Sequence, residues 1–214
     1  MPYAPDHKAE TRTRILDSAR RLFNRRGLTE ISIDEIMAGA GLTRGGFYSH
    51  FNSKEELYAE AILHFVHCRP SPGWQQHAFE TPMDGSRLAR VVLDAYLSRA
   101  HAEDVDGSCP MIGLATDVAR GSGAAKAAYR QILAMMTGIF AETLGPDAFA
   151  LANGHNGGPD DASDHQRALA VVAMCVGGMV LARAVDDAAT ADTVRAAAHR
   201  YAVALAGWAQ PEVA

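Results

Sequence analysis

The chain has 214 residues, 48% hydrophobic and 21% charged, enough to bury a core as one large or two small domains and too apolar for bulk disorder. Nineteen Gly and nine Pro are near ordinary usage, which excludes collagen-like and low-complexity classes. Against 20 Lys plus Arg stand 25 Asp plus Glu, a formal charge of -5, so any binding of nucleic acid has to rest on a local basic patch.

The first eight residues are polar, broken by Pro2 and Pro5, and lead into no apolar stretch, so no signal peptide is expected. Ile15, Ala19, Leu22 and Phe23 then fall on one stripe of a helix from about Glu10 to Arg26, and Gly27 stands where a helix-ending glycine would. Ser32-x-x-Glu35 is a capping box, with Ile31 and Ile36 at the positions of a hydrophobic staple, and Ile33, Ile36, Met37 and Ala40 share a face. Gly41 breaks this helix, Thr43 can cap a short third one, and Phe47 and Phe51 stand four apart on its inner side. A second box, Ser53-x-x-Glu56, opens a longer helix that lines up Leu57, Ala61 and Phe65.

Prolines and glycines make 68–86 a connection. Helical spacing resumes over 87–101, 110–120 and 124–144, then 145–164 reads as a long loop or insertion, and helices over 165–185 and 191–208 close the chain. The most apolar stretch, 168–182, lies between Arg167 and Arg183 and is too short to span a bilayer, which takes about 18 or more residues. It is expected to be a buried helix, with no membrane partner. No run alternates as a strand would, so the expected fold is all-α.

A helix, a Gly-Leu-Thr turn and a short helix within 32–51 have the order that places a second helix in a DNA major groove. Arg44 lies at that helix's amino end. Gly45 and Gly46 weaken the helix by about 1 kcal/mol each relative to Ala, which makes sense if bare backbone has to approach DNA closely. Between residues 7 and 54, nine Lys and Arg face five Asp and Glu, so a basic head is joined to an acidic remainder.

Arg14-Ile-Leu-Asp-Ser-Ala-Arg-Arg-Leu-Phe, Gly27, Ile33-Asp-Glu-Ile, Ala40-Gly-Leu-Thr-Arg-Gly-Gly-Phe-Tyr-Ser-His-Phe and Asn52-Ser-Lys-Glu-Glu-Leu together resemble the amino-terminal domain of TetR-type transcriptional regulators, over about 9–61. Cys109-Pro-Met-Ile-Gly-Leu-Ala and Leu181-Ala-Arg-Ala-Val-Asp-Asp are similar, less specifically, to carboxyl-terminal segments of some members. The resemblance implies a three-helix DNA-binding domain over 1–54 and a helical effector-binding and dimerisation domain over 55–214. It further implies a homodimer with a four-helix interface. Such a protein is usually a repressor, located in the cytoplasm and released from a palindromic double-stranded DNA operator by a small-molecule effector. Thr43, Arg44, Gly45, Gly46, Tyr48, His50 and Lys54 are the implied DNA contacts, and Ser32 is counted with them. Arg44 is the one expected to reach a base edge, while Tyr48, His50 and Lys54 hold phosphates. Phe47 and Phe51 belong to the core. Independently, 168–182 is too apolar for one intramolecular face, and Val194, Ala198, Tyr201 and Leu205 add a second stripe, so these two helices are expected to form a two-fold dimer. Two other outputs remain open: partner recruitment or chromosome organisation by a DNA-binding protein, and a helical enzyme reusing an apolar pocket.

Other groupings carry less. His64, His67 and Cys68 could present two imidazoles and a thiolate on one helix face, but no fourth ligand is visible beyond His77, and a polar helix end is the simpler reading; no metal or cofactor is expected. Cys109 before Pro110 is either a helix-start thiolate able to react with electrophiles or a small buried residue. Cys175 is packing, and three scattered cysteines suit a reducing compartment. Trp74, Phe79, Cys109, Met111, Met135, Met136 and Phe140 either line an effector pocket or fill the core. Gly177-Gly178 would permit close helix approach, within the subunit or across a dimer seam. No phosphate loop, nucleophile elbow or paired-carboxylate motif supports an enzyme.

Overall fold

A computed structural model of the chain describes residues 5–67, 85–145 and 161–208, and the regular elements among them are all helical. The fold is all-α, an amino-terminal helix-turn-helix followed by a carboxyl-terminal helical domain. Two compact units are formed, one from 1–69 and 105–132, the other from 70–104 and 133–214. The unit that carries the amino-terminal helices therefore extends beyond residue 54 and takes in a later stretch of chain.

In the first unit α1 spans Pro5–Arg26, starting earlier than its apolar pattern predicts because the pattern marks only the buried face. Ile15, Ala19 and Phe23 of that face are fully buried. Gly27 ends the helix at φ +74, a left-handed conformation that costs glycine nothing, and a Cβ there would lie 2.3 Å from Asp117 Oδ2. The capping box of α2 (Ile33–Gly39) forms as expected: Ser32 Oγ accepts from the Glu35 amide, and the Glu35 carboxylate accepts from the Ser32 amide. A six-residue 3-10 helix, Arg44–Ser49, follows, with Phe47 and Phe51 in the core. The second box forms in its Ser53 half, where Ser53 Oγ accepts from the amide of Glu56 in α3 (Lys54–His67) at 3.0 Å, while the Glu56 carboxylate accepts from the Asn52 amide at 2.6 Å. Tyr58 of α3 stands edge-on to Phe23 at 5.0 Å.

The expected helix over 87–101 is two, α4 (Gly85–Tyr96) and α5 (Arg99–Glu103), because Ser98 Oγ donates to Ala95 O and accepts from the His101 amide, ending one helix and capping the next. The expected 110–120 helix also divides, into α6 (Pro110–Gly113) and α7 (Ala115–Arg120), and the first unit continues into α8 (Gly123–Ala141). In the second unit α9 (Asp161–Ala184) packs along α10 (Ala188–Leu205). Over 164–184, α9 is long and apolar enough to cross a membrane by length and composition, more than the 168–182 core suggests. Yet Ala168, Val171, Val172, Cys175 and Met179 are buried within the protein. Gly178 resolves one role of the glycine pair, because a Cβ there would lie 2.6 Å from Ala198 Cβ on α10, whereas one at Gly177 would meet nothing within 4 Å.

His101 is fully buried, with Nδ1 2.6 Å from Tyr96 O, and burial pushes its imidazole down to about 3, outweighing the hydrogen bond that opposes the shift. The unfolded chain takes up this proton near the ordinary histidine value and the folded chain does not. Stability from His101 is therefore complete above about pH 6.5 and lost as pH falls towards 3, by up to about 1.4 kcal/mol per pH unit. Urea titrations between pH 6.5 and 5 should show this slope, flattened in His101→Gln.

Candidate nucleic-acid interface

α2 has seven residues and the helix after it six, lengths at which an isolated helix does not persist in water, so both depend on their neighbours for position. Core contacts supply part of the hold, since Ile36, Met37, Phe47, Phe51, Leu57 and Tyr58 are buried to 1% exposure or less. Polar side chains supply the rest by donating to carbonyls around α2. Ser18 Oγ donates to Ile36 O at 2.8 Å from a buried position, and the Arg14 guanidinium donates to Ala40 O. Lys54 Nζ donates to both Leu28 O and Ile31 O at 2.8 Å, clamping the turn between α1 and α2.

The later segment of the same unit holds the other side of that turn. Asp117 Oδ2 accepts from the Leu28 amide at 2.9 Å, and Asn24 Nδ2 donates to Asp106 O and Ser108 O at 3.2 and 2.8 Å. Arg20 donates to Asp106 O, and Arg25 holds the Asp106 carboxylate with two nitrogens, which keeps that carboxyl below its usual range. No local sequence signal could have found these contacts, because the partners lie more than 80 residues apart.

The sequence-predicted contacts divide on inspection. Thr43, Arg44, Gly45 and Tyr48 lie together on one exposed edge, with Tyr48 61% exposed and its ring edge-on to Phe47. A Cβ on Gly45 would meet nothing within 4 Å, so the protein's own packing does not require glycine there; at Gly46 it would make ordinary contact with Met37. His50 is half-buried, its Nδ1 has no hydrogen-bond partner, and desolvation, reinforced by Lys8 and Arg12, lowers its pKa and favours the neutral ring. Ser32 serves the cap, and its partner Glu35 is held at about 2, chiefly by the hydrogen bond from the Ser32 backbone, with Arg26 adding to it. Arg44 Nη1 lies 2.6 Å from Asp34 Oδ2. Arg12 pairs with Glu60 at 2.6 Å and stacks over the Phe51 ring.

Of the residues expected at an effector site, five lie among the described residues. Cys109 and Met111 are buried in the first unit, Cys109 as the residue preceding α6; Met136 and Phe140 are buried in the second, and Met135 is exposed. Trp74 and Phe79 lie outside the described residues, as do Cys68, His77 and the side chain of His67 from the metal grouping, and His64 Nε2 is 3.0 Å from Asp17 Oδ1. Among the described residues no three metal-ligating side chains cluster.

Lys54 thus has a structural task that its sequence position hides. Lys54→Ala is expected to cost about 1–2 kcal/mol in urea unfolding, by leaving two carbonyls without their charged donor, and to speed hydrogen exchange in the Leu28–Ile31 turn.

The family model described as bacterial regulatory proteins, tetR family, matches residues 15–61. AcrR of Shigella flexneri, an HTH-type transcriptional regulator, is 49% identical over 51 residues, 24% of this chain and 24% of its own length. YdgC of Bacillus subtilis, an uncharacterized HTH-type transcriptional regulator, is 32% identical over 104 residues, 49% of this chain and 53% of its own length. The chain thus spans only a quarter to a half of these relatives' lengths. The crystal structure of E. coli NemR in its reduced form superposes with a TM-score of 0.67 over 95% of this chain and 100% of its own, at 18% identity, which shows a shared fold. Over residues 15–61, with the helix-turn-helix it covers, the amino-terminal part of this chain is similar to the tetR family of bacterial regulatory proteins.

Proposed function

We propose that the chain is a TetR-type, sequence-specific transcriptional regulator that binds a palindromic operator as a homodimer and is released from it by a small effector. The observation that carries this reading is the exposed edge of Thr43, Arg44, Gly45 and Tyr48 on a helix-turn-helix, with a glycine that internal packing does not need. An arginine at such an edge can donate two parallel hydrogen bonds to a guanine. Differential effector affinity for two states of the protein would lower DNA affinity by the same free energy. The burial of Cys109 at 2% exposure favours a non-covalent effector over reaction at the thiol.

Dimerisation is supported by α9, whose buried stripe leaves Ala173, Gly177, Val180, Leu181 and Ala184 as an apolar stripe outside the core. Val180 and Leu181 are 41% and 59% exposed, and Tyr201 of α10 is 59% exposed. The buried face of α9 supports a helix of a protein core rather than a membrane span, and the buried positions of Cys109 and Cys175 suit a reducing cytoplasm.

Two substitutions separate folding from function at the edge. Gly45→Ala should leave thermal stability unchanged or raise it by up to about 1 kcal/mol, yet weaken binding to duplex DNA flanking the chain's own gene. Arg44→Ala should weaken specific binding by about 1–3 kcal/mol and random-duplex binding much less. For assembly, the wild type should sediment at micromolar concentration as a species of twice the chain mass, and Leu181→Glu as a folded monomer. A monomeric wild type that still binds DNA cooperatively as single chains would contradict the dimer.

A further inference from the structure

We propose that Asp34 is a specificity-determining residue, a positioning group whose carboxylate sets the orientation of the Arg44 guanidinium and penalises its use on the phosphate backbone. The proposal rests on the DNA-binding reading above.

The pair joins the two short helices of the helix-turn-helix: Arg44 Nη1 at the start of one lies 2.6 Å from Asp34 Oδ2 in the first turn of the other. Its geometry is anchored on the Asp34 side, because α2 is capped by Ser32 with Glu35 and tied down through Ile36 O. Glu35 performs the cap, so Asp34 is not needed for it. Both side chains of the pair are more than half exposed, and exposed pairs add little to folding stability.

A carboxylate beside a surface meant for DNA repels phosphates and lowers general affinity, so its presence there calls for a compensating effect. Holding Arg44 supplies one in two ways. An arginine already fixed through one nitrogen loses less conformational freedom when its remaining donors meet a base edge. If Arg44 swings to a phosphate instead, Asp34 is left unpaired against the DNA backbone, so binding to wrong sequences is penalised more than binding to the right one.

The test is a double-mutant cycle on the full chain, with wild type, Asp34→Asn, Arg44→Ala and the double variant. Each is titrated at one salt concentration against the duplex that the wild type enriches most from a random pool, and against a scrambled duplex of equal length. Asp34→Asn should bind the scrambled duplex more tightly and reduce the specific-to-scrambled ratio about threefold to tenfold. In the Arg44→Ala background the same change should leave the ratio unaltered. Melting temperatures report folding, and Asp34→Ser is a second variant if Asn perturbs α2. A ratio unchanged by Asp34→Asn, or changed equally in both backgrounds, overturns the proposal while leaving DNA binding standing. A wild type that enriches no sequence overturns the DNA-binding reading and this inference together.

Discussion

Everything proposed for the interface depends on holding two helices that are too short to hold themselves. A seven-residue and a six-residue helix have almost no cooperative stability of their own, so the orientation of Arg44, Gly45 and Tyr48 is inherited from what surrounds them. Apolar burial gives cohesion, but burial is non-directional and does not by itself fix a helix's rotation or depth. Direction comes from side chains that donate to particular carbonyls: Ser18 on Ile36, Arg14 on Ala40, Lys54 on Leu28 and Ile31. Asp117 completes the frame on the opposite side of the α1–α2 turn by accepting from the Leu28 amide, where Gly27 leaves room for it.

This frame changes the meaning of the basic segment. Nine Lys and Arg over residues 7–54 suggest a patch for phosphates, yet Arg14, Arg20, Arg25 and Lys54 are engaged in holding backbone or carboxylate groups of the same unit. Arg12 and Arg26 are paired with Glu60 and Glu35. The positive charge is therefore structural as well as electrostatic, and a charge count overstates how many side chains a DNA backbone would meet. It also concentrates interest on the exposed edge, where Arg44 is paired with a single, exposed carboxylate.

What could be read from the sequence follows the range of the interactions. The Ser32–Glu35 box, the left-handed glycines at 27 and 41, and the burial of Phe47 and Phe51 are set within a few residues, so spacing revealed them. The break at Ser98 was hidden because hydrophobic spacing runs on through it, and only the hydroxyl's bonds to Ala95 and His101 show the helix ending. The grip of Asp106 and Asp117 on α1 and its turn was hidden because nothing local marks an aspartate whose partner is more than 80 residues away. Lys54 was legible as a basic residue near the interface, but not as a clamp.

Selection from a random duplex pool by the wild-type chain decides whether this edge reads DNA sequence as one of two symmetric copies. Enrichment of a rough palindrome whose half-sites lie about one helical turn, or a multiple of it, apart is expected. Recovery of the input pool unchanged, or of a single asymmetric half-site, would contradict it.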